Sequence, residues 1–285
     1  MQERGPLYSQ ICCFSMPYCS VDGVRLYYDE TGSGAPLVFI HGLGSSSRDW
    51  AEQVDHFADE YRVLRVDLRG HGRSGRGTRP YHMAQFARDV AVLLRKREAV
   101  PAHVVGLSMG GMITLQLGAD APRLVRSLVV ANSVADAELQ TWHDVWFYVS
   151  RRTAVQALGM RRVGQLLARR LFVKPDQEDL RREFVRRWAE NDKQAYLWSV
   201  DAIMGWSVWD RLSSITTPTL LLTAEHDYSP VAEKNRIAAQ MPHADLAVIE
   251  DARHALPVEK PGAFNSAVDT FLEDVSNGCF RRRDP

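Results

Sequence analysis

Cysteine is scarce in this chain of 285 residues and is confined to its two ends. The four cysteines are Cys12, Cys13, Cys19 and Cys279, and none of them belongs to a C-x-x-C pair. Disulfide frameworks and thiolate metal sites both need several cysteines at close, regular spacing. The sequence therefore excludes a disulfide-stapled protein and predicts no metal site.

Long apolar runs and an excess of one charge are also missing. No apolar stretch reaches the roughly 20 residues that a membrane span needs, and 11–14 is too short for a signal-peptide core. Lys plus Arg and Asp plus Glu number 35 each, and acidic residues interleave with the arginine pairs at 151–187. This balance argues against nucleic acid or an anionic membrane surface as a partner. We predict a cytoplasmic protein with no integral membrane segment, whose residues 1–16 form a flexible N-terminal extension.

Hydrophobic residues make up 45% of the chain, enough for one large core. Strand and helix patterns alternate along most of it, and Asp22-Gly23 indicates a hairpin at an antiparallel edge. This alternation predicts the α/β class, with a mostly parallel twisted sheet and helices on both faces. Between 133 and 211 only helical patterns occur, which predicts a cap over a core formed by 17–132 and 212–275. Residues 276–285 are predicted to be a C-terminal tail.

The segment 104–111 carries the most specific motif, a G-x-S-x-G in which Gly106 and Gly110 flank Ser108. It follows an apolar strand and begins a helical pattern, as a nucleophile elbow does. The flanking glycines leave room where side chains would meet neighbouring backbone. Such a turn exposes the serine hydroxyl and directs the backbone N–H of Met109 toward an oxygen that gains charge during attack.

With this motif and the segments described next, the chain resembles the α/β-hydrolases over roughly residues 18–274. The resemblance implies the α/β-hydrolase fold with an inserted helical cap. It also implies that the backbone N–H of Leu43, after His41-Gly42, is the second oxyanion donor. His41 in this family braces the loop, and His71 is read as part of a second Gly-rich turn.

A serine hydroxyl needs a base, and the base needs an orienting carboxylate. Asp227 and His254 follow two consecutive apolar strands, and the order Ser108, Asp227, His254 is that of the family. Some relatives carry the acid after the strand before the cap, but here that strand ends at Asn132, which carries no charge. Glu225 is a second carboxylate near Asp227, and it is interpreted as a loop residue.

Six of the seven tryptophans lie in the predicted cap, at 142, 146, 188, 198, 206 and 209. Many of them are expected in the cap core, but together they predict an apolar, aromatic-lined pocket. Trp142 and Trp146 are the candidate substrate contacts. Such a pocket favours an uncharged ester or an aromatic acyl group.

These residues predict a serine hydrolase that forms an acyl-enzyme on Ser108, acts on a small-molecule ester or lactone and needs no cofactor. A carboxylesterase is the first hypothesis, and a lactonase similar to 3-oxoadipate enol-lactonases is the second. Ser108 argues against relatives with an aspartate nucleophile, and Ala255 differs from the Trp typical of C–C bond hydrolases. Perhydrolases typically carry an aromatic residue in place of Leu43. A ligand receptor on the same fold, which does not turn over, is the alternative from another class.

Overall fold

The computed structural model describes residues 17–139 and 141–280. Eight strands form one sheet in the order β1-β2-β4-β3-β5-β6-β7-β8. Only the pairs β1/β2 and β2/β4 are antiparallel; the other five pairs are parallel. The strands are β1 Tyr18–Val21, β2 Val24–Thr31, β3 Ala35–Ile40, β4 Tyr61–Val66, β5 Ala102–Leu107, β6 Val125–Ala131, β7 Thr219–Ala224 and β8 Ala244–Ile249.

The sequence pattern explains this topology locally. Asp22 and Gly23 both have positive φ, 47° and 77°, as a two-residue hairpin turn requires, and they join β1 to β2. Strands β5 and β7 are buried at every position, because both of their faces are covered. The prediction of a mostly parallel sheet with an antiparallel edge is confirmed.

Helices cover both faces of the sheet, and the sheet separates the core into two layers. Strand β3 shows the division: Val38 and Ile40 pack in one layer, whereas Leu37 and Phe39 pack in the other. The helices are α1 Ala51–Phe57, α2 Met83–Lys96, α3 Met109–Asp120, α4 Trp142–Leu171, α5 Glu178–Trp188, α6 Lys193–Ile203, α7 Val231–Gln240, α8 Leu256–Glu259 and α9 Pro261–Ser276.

The predicted cap region, residues 133–211 and called the cap segment below, contains α4, α5 and α6. Helix α4 is broken at Gly159, whose φ of 75° and ψ of 169° are not helical. A small apolar cluster holds the three helices together and includes Val155, Val163, Trp188 and Val200. The exact limits of the cap and the core remain a prediction.

The predicted N-terminal extension, the cysteines and the predicted C-terminal tail all lie near the ends of the chain. The predicted extension 1–16, with Cys12 and Cys13, lies outside the described residues. Cys19 is buried and Cys279 is exposed, and both are free thiols. Helix α9 ends at Ser276, where the predicted tail begins, and 281–285 are not described. In the described ranges, none of the helices has both the length and the apolar character to cross a membrane.

Candidate active site

Ser108 lies at the corner between β5 and α3, in a backbone conformation that residues other than glycine rarely adopt. Its φ is 55° and its ψ is −118°. A Cβ atom on Gly106 would lie 2.2 Å from the carbonyl oxygen of Gly110, and one on Gly110 would lie 2.1 Å from that of Ile40. Both positions therefore need glycine, as the G-x-S-x-G motif predicts. The strain holds the hydroxyl of Ser108 at the carboxyl edge of the sheet.

His254 and Asp227 meet Ser108 at this edge. The Ser108 hydroxyl lies 2.9 Å from His254 Nε2, and His254 Nδ1 lies 2.5 Å from Asp227 Oδ1. An ionised carboxylate accepts the Nδ1 proton, which leaves Nε2 free to accept a proton from the serine. The loops after β7 and β8 thus bring together the three side chains singled out in the sequence.

Asp227 is held as a carboxylate by its neighbours. Burial raises its pKa, but the hydrogen bond from His254 and the positive charge of Lys234 outweigh burial and lower the pKa to about 2. Lys234 Nζ lies 3.2 Å from Asp227 Oδ2, and both side chains are almost completely buried. The Ser229 hydroxyl lies 3.2 Å from the same oxygen. Asp227 therefore remains charged beside the imidazole.

The two predicted oxyanion donors lie beside Ser108. Met109 begins α3, where the first N–H groups of a helix have no acceptor within the helix. A Cβ on Gly42 would lie 3.3 Å from Ser108 Cβ, so the loop that carries Leu43 runs directly against the serine. Leu43, Ser108 and Met109 line the same cavity. Their arrangement suits a negative oxygen held by two backbone N–H groups.

His41 and His71 contact the loops of the site. His41 Nε2 accepts a hydrogen bond from the N–H of Leu68, and Nδ1 lies 2.8 Å from the carbonyl oxygen of Gly42. Burial lowers the pKa of both histidines, and the proximity of the two rings lowers that of His71 further, to about 3. The two rings lie 5.1 Å apart, and the contacts of His41 agree with the bracing role that the family resemblance implies for it.

Glu225 and Asn132, the two other residues considered for the acid position, form no hydrogen bond with the His254 ring in the described residues. Glu225 is exposed and accepts a hydrogen bond from the N–H of Asp251. Asn132 connects the end of β7 to the loop after β8: its side-chain N–H group donates to the carbonyl oxygen of His254 at 3.0 Å, and its oxygen accepts from the N–H of Ala224 at 2.8 Å. An amide can do both, because it carries a donor and an acceptor.

A cavity of about 620 Å³ opens above the triad. Its wall comes from the cap segment and from the loops after β3 and β7. Apolar and aromatic side chains dominate it, in agreement with the predicted character of the pocket. The aromatic lining residues are Tyr148, Phe172, Phe184, Trp188 and Tyr228.

The prediction that Trp142 and Trp146 contact the substrate disagrees with this structure. Their side chains are 89% and 67% exposed, and neither lines the cavity. Both lie in the first turns of α4, on a side that faces solvent. Trp188 is the cap tryptophan at the pocket: it is 4% exposed and stacks on Phe184 with ring centroids 5.1 Å apart.

Sequence reasoning missed the contributions of Lys234 and Tyr228 to the site. Tyr228 stacks on the His254 ring, with centroids 4.2 Å apart, and follows Asp227 directly. Lys234 had a detectable signal, because it precedes the buried Ile237 and Ala238 by three and four residues on α7. A lysine on the apolar face of a helix indicates a buried anion.

The sequence of this chain also matches a known protein family. The family model for the α/β hydrolase fold matches residues 35–261, from the first residue of β3 to the start of α9. This chain belongs to the α/β-hydrolase family.

Individual members of the family resemble the chain along nearly its whole length. A 3-oxoadipate enol-lactonase of Acinetobacter baylyi is 29% identical over 242 residues, which cover 83% of this chain and 88% of that protein. The (E)-2-((N-methylformamido)methylene)succinate hydrolase of the same organism is 29% identical, with 87% and 94% covered. The crystal structure of the enol-lactonase from Burkholderia xenovorans LB400 superposes with a TM-score of 0.83 at 27% identity, covering 90% of this chain and all of that one. This α/β-hydrolase is therefore similar to hydrolases of small molecules.

Proposed function

We propose that this α/β-hydrolase is a serine hydrolase that cleaves carboxylic esters, cyclic or acyclic, through an acyl-enzyme on Ser108. The observation that supports the proposal most strongly is the continuous chain of contacts from Ser108 Oγ through His254 to Asp227, at 2.9 Å and 2.5 Å. Hydrogen-bond distances of this kind allow a base to accept the serine proton during attack.

The proposed reaction has two halves. His254 Nε2 takes the Ser108 proton while Oγ bonds to the carbonyl carbon, and the carbonyl oxygen becomes an oxyanion that accepts from the N–H groups of Leu43 and Met109. The tetrahedral intermediate expels the alcohol, which takes the proton from His254. Water then donates a proton to His254 and attacks the acyl-enzyme, and the carboxylic acid leaves as Ser108 regains its proton.

Asp227 orients the imidazole and stabilises its positive charge during both halves. The carboxylate does so because its pKa of about 2 keeps it ionised throughout the neutral range. A cation on His254 lies between this carboxylate and the reacting oxygen. The charge created by the proton transfer is therefore compensated locally.

Cyclic esters are included because similar proteins act on them. Two of the three relatives described above are enol-lactonases, and they share between 27% and 29% of their residues with this chain. In a lactone the leaving alcohol stays attached to the acyl group, so the same serine chemistry applies to both. Measuring kcat/KM for a panel of acyclic esters and lactones would show which of the two substrate classes the protein prefers.

Two measurements test the proposal: the turnover of a Ser108 variant and the covalent labelling of Ser108. Ser108→Ala should lower kcat for p-nitrophenyl esters by about 10⁴–10⁶, because triad members act as a unit. The matched control is Ser214→Ala, which removes an exposed hydroxyl far from the triad and should keep wild-type turnover.

A serine-directed phosphonate should add once per chain, at Ser108. Turnover that persists in Ser108→Ala, or an adduct at another residue, would contradict the proposal. A single slow acylation without turnover would instead support a ligand receptor on this fold.

A further inference from the structure

Arg151 places a cationic side chain in the wall of the apolar cavity that contains Ser108 and His254. Its Nε donates to the Tyr196 hydroxyl at 2.7 Å. The guanidinium carbon lies 5.8 Å from the centre of the Tyr196 ring and 5.9 Å from that of Trp188. Two aromatic rings and one neutral hydroxyl therefore form the contacts of this side chain.

The other two arginines that line the cavity are already neutralised. Arg187 lies 3.0 Å from Asp49 and 2.5 Å from Glu183, and Arg48 lies 2.5 Å from Glu190. Across 17–139 and 141–280, Arg151 is the arginine of this cavity with no carboxylate within 4 Å. The cavity thus has one cation whose charge is not balanced by a direct partner.

The adjacent residue shows that this arrangement is specific to the pocket side of α4. Arg152 is also half-buried, but it forms an ion pair with Asp201 and does not line the cavity. Two consecutive arginines on one helix therefore point to different surroundings. Arg152 is paired within the cap segment, whereas the two terminal nitrogens of Arg151 have no hydrogen-bond partner among residues 17–139 and 141–280.

The carboxylates around the cavity do not compensate Arg151. Asp49 and Glu183 share Arg187, and Glu52 belongs to an exposed position at the start of α1. A half-buried guanidinium among aromatic rings loses hydration, and an anion that accepts from both terminal nitrogens restores those interactions. The planar fork of arginine matches the two oxygens of a carboxylate.

Arg151 is also close to the reacting groups. Arg151, Tyr228 and His254 line the same cavity. Tyr228 in turn stacks on His254, with ring centroids 4.2 Å apart. The guanidinium and the imidazole proposed to act as the base therefore both belong to the wall of the cavity that would hold the substrate.

We propose that Arg151 binds a free carboxylate on the substrate, so that the preferred substrates are esters or lactones that carry a second, ionised carboxyl group. The proposal rests on the serine hydrolase function proposed above. It replaces the expectation of an uncharged substrate, which was based on the aromatic residues of the cap alone.

Two substrates that differ only in one charge test the proposal. Mono-(p-nitrophenyl) adipate has a free terminal carboxylate, and methyl p-nitrophenyl adipate has the same chain with that carboxylate esterified. The wild-type protein should have the higher kcat/KM for the acid. Arg151→Gln should lower the acid-to-methyl-ester ratio about 10–100-fold, because a charge-assisted hydrogen bond to the substrate is lost.

Arg162→Gln is the matched control, since it removes the same charge from an exposed position on α4. The ratio should stay at its wild-type value in this variant. Arg151→Lys should fall between the wild type and Arg151→Gln, because it keeps the charge but loses the fork. A wild-type protein without preference for the acid, or an unchanged ratio in Arg151→Gln, would overturn the proposal.

A binding measurement separates this proposal from the proposed function. Adipate should raise the Tm of Ser108→Ala, which retains the pocket, and should not raise that of Ser108→Ala combined with Arg151→Gln. This readout requires no turnover. Arg151-dependent stabilisation, together with a wild-type protein that hydrolyses none of the esters, would support the carboxylate site and reject the hydrolase, whereas equal stabilisation of both variants would reject the site.

Discussion

The sheet and the cap segment contribute to the active site in different ways. The sheet supplies the proposed reacting groups at the ends of its strands, where each one is constrained: Ser108 by a strained backbone, and Asp227 by a buried ion pair with Lys234. The cap segment supplies most of the aromatic side chains of the pocket wall, from α4, α5 and the residue that follows α4. Trp188 is buried at that junction, whereas Trp142 at the start of α4 is 89% exposed.

The contacts of α5 explain why one part of the cap segment is tied to the sheet. The Trp188 ring fills the space beside Gly44, where a Cβ would lie 2.6 Å from the indole. The side chain of Asn191 donates to the carbonyl oxygen of Gly44 at 2.8 Å, and Arg187 pairs with Asp49. These contacts hold the loop that continues from Leu43. The wall near α5 therefore also supports the proposed oxyanion donors.

The largest effect is expected on the sheet side. Asp227→Asn should lower kcat by about 10²–10⁴, because the imidazole loses the carboxylate that fixes its tautomer. Glu225→Gln should change kcat little, since Glu225 is exposed and contacts the backbone of Asp251. Steady-state kinetics on one ester would compare the two variants. The opposite ranking would identify Glu225 as the acid.

The sheet part of the site could be predicted from the sequence because local rules determine it. A serine between two glycines after an apolar strand defines the elbow, and Asp227 and His254 follow β7 and β8 in parallel strands whose carboxyl ends share one edge. The pattern at 106–110 thus indicates the proposed nucleophile before any tertiary contact is considered. The resemblance to the family then assigns roles to the two loops.

The pocket could not be predicted in the same way, because tertiary packing decides which face of a helix is buried. Both Trp142 and Trp188 are tryptophans in a helical pattern of the cap segment, and only the packing of α5 against the loop at Gly44 distinguishes them. The role proposed for Arg151 had no local signal either. Its sequence neighbour Arg152 has the same side chain, and the difference arises from the position of Asp201 on α6.

The junction between the two regions should show the next largest effect. Trp188→Ala should lower the free energy of unfolding by about 3–5 kcal/mol, because it leaves a cavity between α5 and the loop at Gly44. Chemical denaturation followed by far-UV circular dichroism would measure the change. A loss below about 1 kcal/mol, the range of surface substitutions, would show that the indole does not tie the cap segment to the sheet.

The ion pairs of Asp227 predict a smaller effect on stability at low pH. Its folded-state pKa of about 2 lies below the ordinary value of 3.8, so its contribution is present above about pH 4 and is lost as the pH falls through 2. This shift corresponds to about 2 kcal/mol. The wild type should lose that amount more than Asp227→Asn between about pH 5 and about pH 2. Equal losses in both proteins would contradict the assigned pKa.

The smallest effects are expected at the exposed start of α4. Trp142→Ser and Trp146→Ser should each change the free energy of unfolding by less than about 0.5 kcal/mol, because the two side chains are 89% and 67% exposed. The preference among esters of different acyl length should also stay unchanged, since neither residue lines the cavity. Trp188→Phe, measured on the same esters, is the matched comparison: it shortens a side chain that does line the cavity and should alter kcat/KM ratios by about 10-fold or more. A changed acyl preference in the Trp142 or Trp146 variants would mean that the first turns of α4 reach the substrate during turnover, and the difference between the two parts of the cap segment would then hold only for the unliganded protein.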